Sequence, residues 1–243
     1  MELHDRVALV TGAGRRLGLA FARALASRGM ALAIHHHASA AGANELRREV
    51  EAAGGRAACF PADLTDPSAA IELPRRVVAE LGSLDVLVNS AAIMRKLTLE
   101  ETTPGDWEAI FDLNLRAAFF CTQGAAPALR AAHGKVVNIA DLSGIEPWPG
   151  FVAHSISKAG VVMLTRVLAL ALAPEVTVNA IAPGAVLVPE SYDDAERDRL
   201  ARSTPLRRLG APSDAVAALL YLLEGGDFVT GEVLAVDGGR HLR

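Results

Sequence analysis

One stretch constrains this chain more than any other: Thr11-Gly12-Ala13-Gly14-Arg15-Arg16-Leu17-Gly18, set between the short apolar run Arg6–Val10 and a segment of helical period at 16–28. Glycines at such a place let the backbone turn sharply and approach a pyrophosphate, whose charge is then met by the N-terminus of the helix that follows. A glycine-rich stretch alone would say little. Between a strand and a helix, at the start of a βαβ unit, it predicts a dinucleotide-binding turn, with Gly12, Gly14, Arg15, Arg16, Leu17 and Gly18 as its contacts.

The rest of the chain repeats the strand-then-helix rhythm. Strands are predicted at Arg6–Val10, Met30–His35, Arg56–Phe60, Leu84–Val88, Lys135–Ile139, Val176–Ile181 and Glu232–Val236, with helices at 16–28, 40–53, 67–80, 104–131, 153–173 and 212–223. Runs such as Val7-Ala-Leu-Val10 and Val86-Leu-Val88 are apolar throughout, which suits a sheet covered on both faces. Alternation of this kind predicts right-handed crossovers and an α/β fold, a doubly wound parallel sheet with helices on both faces. No linker, repeat or low-complexity tract divides the sequence, so one domain is expected over residues 1–243. The polar stretch 184–205 breaks the alternation and is expected to be a lid above the carboxyl ends of the strands, where ligands of such sheets bind.

Composition narrows the function. The net charge is −4, from 24 basic and 28 acidic residues, so a nucleic-acid partner has no electrostatic support. No uncharged run approaches the roughly 18–20 apolar residues of a membrane helix, and no membrane association is expected. Met-Glu-Leu-His-Asp at the N-terminus does not fit a secretory signal, so a cytoplasmic protein is expected. Cys59 and Cys121 cannot make a disulfide framework or a metal site. NAD-selective turns carry an acid about 20 residues on, at the end of the second strand. Here that place reads Ile34-His35-His36-His37-Ala38-Ser39, while Arg15 and Arg16 stand in the turn, so NADPH is predicted over NADH, with His37 and Ser39 near its 2′-phosphate. Adjacent strand residues point to opposite faces, so the three histidines cannot converge on one metal ion, and no metal is expected.

The sequence resembles the short-chain dehydrogenase/reductase family over essentially its whole length. The resemblance is carried by Thr11–Gly18, Asp63-Leu64, Asn89-Ser90-Ala91-Ala92, Asn114 in Asp112-Leu-Asn114, the segment ending in Ser157-Lys158, and Pro183-Gly184. It implies a Rossmann fold. It also implies that Asp63 and Leu64 hold the adenine, that Asn89, Ser90 and Ala91 line the cofactor, and that Pro183, Gly184 and Val186 sit against the nicotinamide. Lys158 would bond the nicotinamide ribose and relay protons with Asn114.

Departures from the family pattern resemble its pteridine reductases. Arg16 replaces a glycine of the turn, Asp141 stands where the family has a catalytic serine, and the stretch Pro183–Pro189 and the ending Asp237–Arg243 are similar to that branch. The resemblance implies a dihydropterin substrate met by Arg16, Asp141, Leu187 and the aromatic position taken here by Met94, and a homotetramer joined through the helices at 104–131 and 153–173. Trp148 lies where a flat substrate could stack, with subunit packing an equal alternative; Met94 could equally be plain apolar lining.

One departure bears on mechanism. The family's proton-donating tyrosine, four residues before Lys158, is His154. An imidazole reaches less far than a phenol, a gap one water could bridge; Lys158 disfavours a charged ring and Asp141 favours one. Hydride transfer to a dihydropterin C=N carbon leaves a ring nitrogen that solvent can protonate, whereas a ketone needs an acid. The expected catalytic set is therefore Asp141, His154, Lys158 and Asn114, with NADPH reducing a dihydropterin. A carbonyl or 3-oxoacyl reductase, or an NADP-binding protein without turnover, are the alternatives.

Overall fold

A computed structural model of the protein describes residues 1–188 and 192–243; Pro189, at the end of the expected lid approach, lies outside the described residues. Seven parallel strands form one sheet in the order β3-β2-β1-β4-β5-β6-β7. They are β1 (Val7–Val10), β2 (Ala31–His36), β3 (Ala57–Pro61), β4 (Val86–Asn89), β5 (Lys135–Ile139), β6 (Thr177–Pro183) and β7 (Val233–Val236). The chain winds outward from β1 to β3, returns to β4 beside β1, and winds the other way, with Val10 opposite both Ile34 and Val88. The reversal leaves a crevice beyond the carboxyl ends of β1 and β4.

Every β1 residue is buried because both faces are covered. Ala8 and Val10 pack with Phe21 and Leu25 of α1 (Arg16–Ser27), Leu46 of α2 (Ala40–Ala52) and Leu219 of α8 (Pro212–Leu220). Val7 and Leu9 point the other way, with Leu73 and Val77 of α3 (Pro67–Leu81), Leu129 of α5 (Ala117–Ala132) and Leu168 of α6 (Val152–Leu172). Side chains of a strand alternate between faces, so a strand apolar at every position requires this double cover.

The helix expected at 104–131 is two helices. α4 (Pro104–Phe111) opens on a capping box between Thr103 and Asp106, and a π-helical turn, Asp112–Arg116, separates it from α5. Such a turn inserts one residue into the helix and redirects its side chains; here it leaves Asn114 buried. A second π-helical turn, Tyr221–Gly225, likewise ends the helix expected at 212–223. Within the expected lid lies α7 (Asp194–Ser203), begun by a capping box of Asp193 and Glu196. The sequence signal for it, Asp-x-x-Glu, was present but carried no apolar stripe, and α7 buries none of its residues. α6 is long and apolar enough to span a membrane by length and composition. It packs instead on β6 and buries His154, Ser157 and Lys158 along one side.

Candidate active site

The glycine turn is held from two sides. Thr11 Oγ1 accepts the amides of Ser90 and Ala91 at 2.9 and 3.0 Å, joining the end of β1 to the loop after β4. Gly12 has φ +69°, and a Cβ there would lie 3.0 Å from the Ala91 Cα; one on Gly18 would fall 2.4 Å from the Gly12 carbonyl oxygen. Only glycine fits either place. Arg15, the first-turn cap of α1, is extended and its side chain caps nothing, so the amides of the first turn face outward, able to meet an anion. Arg16 takes a left-handed conformation, φ +52°, and its guanidinium reaches across to the Leu187 carbonyl at 3.4 Å.

His35 lies beneath this turn. The Gly12 amide donates to its Nδ1 at 3.0 Å, and its Nε2 sits 3.1 Å from the Ala62 carbonyl. An acceptor at Nδ1 and a donor at Nε2 is one neutral tautomer. Burial pushes its pKa down to about 4, against a smaller opposing effect of the bond to Ala62. His36 is also buried, whereas His37 is exposed with Nδ1 3.8 Å from Asp63 Oδ1. The Thr65 amide and hydroxyl hold the Asp63 carboxyl below its ordinary range. Ser39 packs against Gly14, where a Cβ would meet its Oγ at 2.3 Å. Of the expected cofactor residues, Asn89 gives both side-chain N–H groups to its neighbours, Thr122 Oγ1 at 3.1 Å and Asn138 Oδ1 at 2.9 Å.

A second polar group lies beyond β4 and β5. Asn114, from the π-helical turn, accepts the Ile93 amide at 2.9 Å and donates to the Ile93 carbonyl at 3.0 Å and Ser157 Oγ at 3.1 Å. His154 is buried beside it, with Nδ1 3.3 Å from the Ile93 carbonyl and Nε2 3.9 Å from Asp141 Oδ2. Asp141 caps the following 3-10 turn through Oδ1, which accepts the Ser143 amide at 2.8 Å. Burial raises its pKa, but His154, the Ser143 amide and the charge of Lys158 outweigh that and hold it below the carboxylate range. Lys158 is fully buried, donates to the Ile139 carbonyl at 2.7 Å, and is pushed down to about 8 by burial, with Asp141 opposing.

Trp148 is half-buried and partly covered. Arg240, from the C-terminal turn, lies 5.7 Å from its ring centroid, and Phe151 meets it edge-on at 5.9 Å. Arg240 carried no sequence signal, since a cation–π contact has no spacing to read. Met94 is half exposed. Pro183 ends β6, Gly184 donates to the Val236 carbonyl at 3.0 Å, and Val186 is buried. Tyr192 is half-buried. Among the described residues no group of three or more His, Cys, Asp or Glu side chains could hold a metal ion.

Residues 12–241 match the family model described as Enoyl-(Acyl carrier protein) reductase. The chain is 34% identical to a 3-oxoacyl-(acyl-carrier-protein) reductase of Synechocystis sp., over 98% of this chain and 97% of that protein. It is 35% identical to 3beta-hydroxysteroid dehydrogenase 1 of Eggerthella lenta, over 99% and 95%. The fold superposes with TM-score 0.92 on a gluconate 5-dehydrogenase from Burkholderia cenocepacia solved with NADP and tartrate, at 31% identity and covering 100% of this chain and 98% of that one.

Proposed function

The chain belongs to the short-chain dehydrogenase/reductase family and is an NAD(P)-dependent oxidoreductase; on that premise we propose that it reduces a ketone or aldehyde with NADPH or, in reverse, oxidises the corresponding alcohol. The observation that carries this is the placement of buried Lys158, Asn114 and His154, with partly exposed Asp141, beside a glycine turn that admits no side chain at Gly12 or Gly18. Proton-handling groups next to a nucleotide cradle are what hydride transfer to a C=O bond requires.

The residues present fit NADPH. The cradle closes around Gly12, Gly14 and Gly18, and the outward-facing amides of the first turn of α1 suit a pyrophosphate. No carboxylate stands at the end of β2, and exposed Arg15 and His37 with Ser39 suit a 2′-phosphate. Asp63 and Leu64 would hold the adenine, Ser90 and Ala91 the middle of the cofactor, and Pro183, Gly184 and Val186 the nicotinamide. Bound there, the cofactor supplies a hydride. Lys158 spends one N–H on Ile139, leaving two for a ribose hydroxyl and for water.

The expected dihydropterin gains no support from the relatives, whose names describe oxoacyl, hydroxysteroid and gluconate chemistry. The flat surfaces a pterin would use are also reduced: the stacking position is Met94, and Arg240 covers Trp148. Half-exposed Phe119 on α5 with exposed Met163, Val167 and Leu170 on α6 supports a homotetramer joined through these helices, which light scattering would test. A cytoplasmic location accords with use of NADPH.

The deciding measurement follows NADPH absorbance with 3-oxoacyl thioesters, ketosteroids, keto-sugar acids and dihydropterins. Turnover on at least one carbonyl class is the expected result. Turnover confined to dihydropterins, or tight NADPH binding with none, would sink the proposal.

A further inference from the structure

A cavity of about 490 Å³ opens at the carboxyl end of β7, between that strand, the segment after α7 and the C-terminal turn. None of Asn114, Asp141, His154 and Lys158 lines it. Its walls are mostly apolar, from Val186, Pro205, Leu206, Ala235 and Val236, and its size is that of a site for a small organic molecule.

One imidazole stands in this cavity on a fixed mount. Asp237, whose side chain is 3% exposed, accepts the Gly239 amide at 2.9 Å through Oδ1, and the His241 amide at 2.8 Å and His241 Nδ1 at 2.7 Å through Oδ2. Burial raises the pKa of this carboxyl, but the bonds from His241 and Gly239 outweigh that and keep it ionised. Nδ1 therefore carries a proton, while Nε2, on a side chain 29% exposed, has no hydrogen-bond partner among the described residues. The other charged side chains of the lining are Arg208 and Asp214, joined by bonds of 2.8 and 3.1 Å. Against Arg208 the two carboxylates leave one negative charge, which a second proton on His241 balances. Arg207, bonded to the Arg202 carbonyl, and Arg240, over Trp148, add two cations next to lining residues. An imidazolium held in this way gives one N–H to Asp237 and keeps the other for a ligand, and the strongest acceptor for it is a carboxylate oxygen.

We propose that this cavity is a second binding site, for a carboxylate with an apolar body such as a straight-chain fatty acid anion, and that its occupant is an effector of cofactor binding. His241 Nε2–H donates to the carboxylate, and Val186, Leu206 and Val236 cover the chain. Gly184 donates to the Val236 carbonyl at 3.0 Å and Gly210 to the Ala185 carbonyl at 3.1 Å, so the strip 184–186 hangs from two residues of the cavity lining. That strip is the nicotinamide wall of the function proposed above; the effector role rests on that reading, and the site itself does not. An occupant that orders the strip before NADPH arrives removes part of the cost of binding it.

Calorimetric titration of the cofactor-free protein with octanoate tests the site. Saturable binding of one octanoate per chain is expected, weakened about tenfold or more in His241→Gln. It should be lost in Leu206→Trp, which fills the cavity from an exposed position. 1-Octanol, with the same chain and no charge, should bind at least about tenfold more weakly. No saturable binding, or an octanoate affinity unaltered in both variants, overturns the site; octanol binding as tightly as octanoate overturns the carboxylate. If His241→Gln does not fold, Leu206→Trp decides alone. Saturating octanoate should lower the NADPH dissociation constant about fivefold or more in the wild type and leave it unaltered in Leu206→Trp. Unchanged NADPH affinity beside octanoate binding overturns the effector role, and inhibition competitive with a carbonyl substrate would place octanoate in the active site and overturn the separate cavity. A wild type that binds octanoate yet reduces no carbonyl would sink the carbonyl function and leave the site standing, so the two failures are distinguishable.

Discussion

The Gly12 amide donates to Nδ1 of His35 at 3.0 Å, so the nucleotide turn hangs on a buried imidazole from the neighbouring strand. The bond exists only while that ring is neutral, since a protonated Nδ1 would oppose two N–H groups. His35→Ala should weaken NADPH binding by roughly tenfold, the worth of about one hydrogen bond, as read by fluorescence titration. Unchanged affinity would show that the turn is held by its other contacts.

The same ring predicts acid lability. With a pKa near 4 folded and 6.5 unfolded, the unfolded chain binds more protons between those values. The contribution of His35 is therefore complete above pH 6.5 and is lost as pH falls toward 4, by about 3 kcal/mol. Urea melts should show His35→Phe losing less stability across that window than the wild type; parallel losses would assign the acid sensitivity elsewhere.

Lys158 is held in the folded protein at a cost. Its pKa is about 8 there, against 10.5 as a free side chain, so the penalty is present below pH 8 and disappears as pH rises toward 10.5. Lys158→Met should raise the melting temperature at pH 7, or leave it unchanged, while abolishing most turnover. A clear drop in melting temperature would mean that the bond to the Ile139 carbonyl outweighs the buried charge.

Cofactor preference should reside in Arg15. Arg15→Ala is expected to weaken NADPH by about tenfold, as an exposed charged contact allows, and to leave NADH unchanged. Equal losses for both cofactors would move the 2′-phosphate elsewhere.

Leu87, fully buried in the middle of β4, reports on the sheet itself. Leu87→Ala should destabilise by about 2–5 kcal/mol in denaturant melts, through lost burial and the cavity left behind.

Much of this was legible in the sequence for a definite reason. All seven strands lie within a few residues of their predicted bounds, and β1, buried at every position, shows the reason: a strand covered on both faces is apolar throughout. The glycine turn was legible because backbone approach excludes side chains at Gly12 and Gly18. What escaped was tertiary. His35 looks in sequence like one of three equivalent histidines, and only the sheet shows that it points beneath the turn while His37 points to solvent. The grip of Arg240 on Trp148 joins two distant segments and leaves no local trace. The Asp141–His154 contact belongs to the same class, since the sequence gives their identities but not the 3.9 Å between them.

The π-helical turn at Asp112–Arg116 makes this chain intolerant of an apparently harmless repair. Removing a single residue there would heal the backbone into one uninterrupted and more regular helix, but it would also rotate Asn114 away from Ile93 and Ser157 and dismantle the wall against which His154 rests. Length in this segment is thus fixed by what the helix must carry, and a tidier molecule would be an idle one.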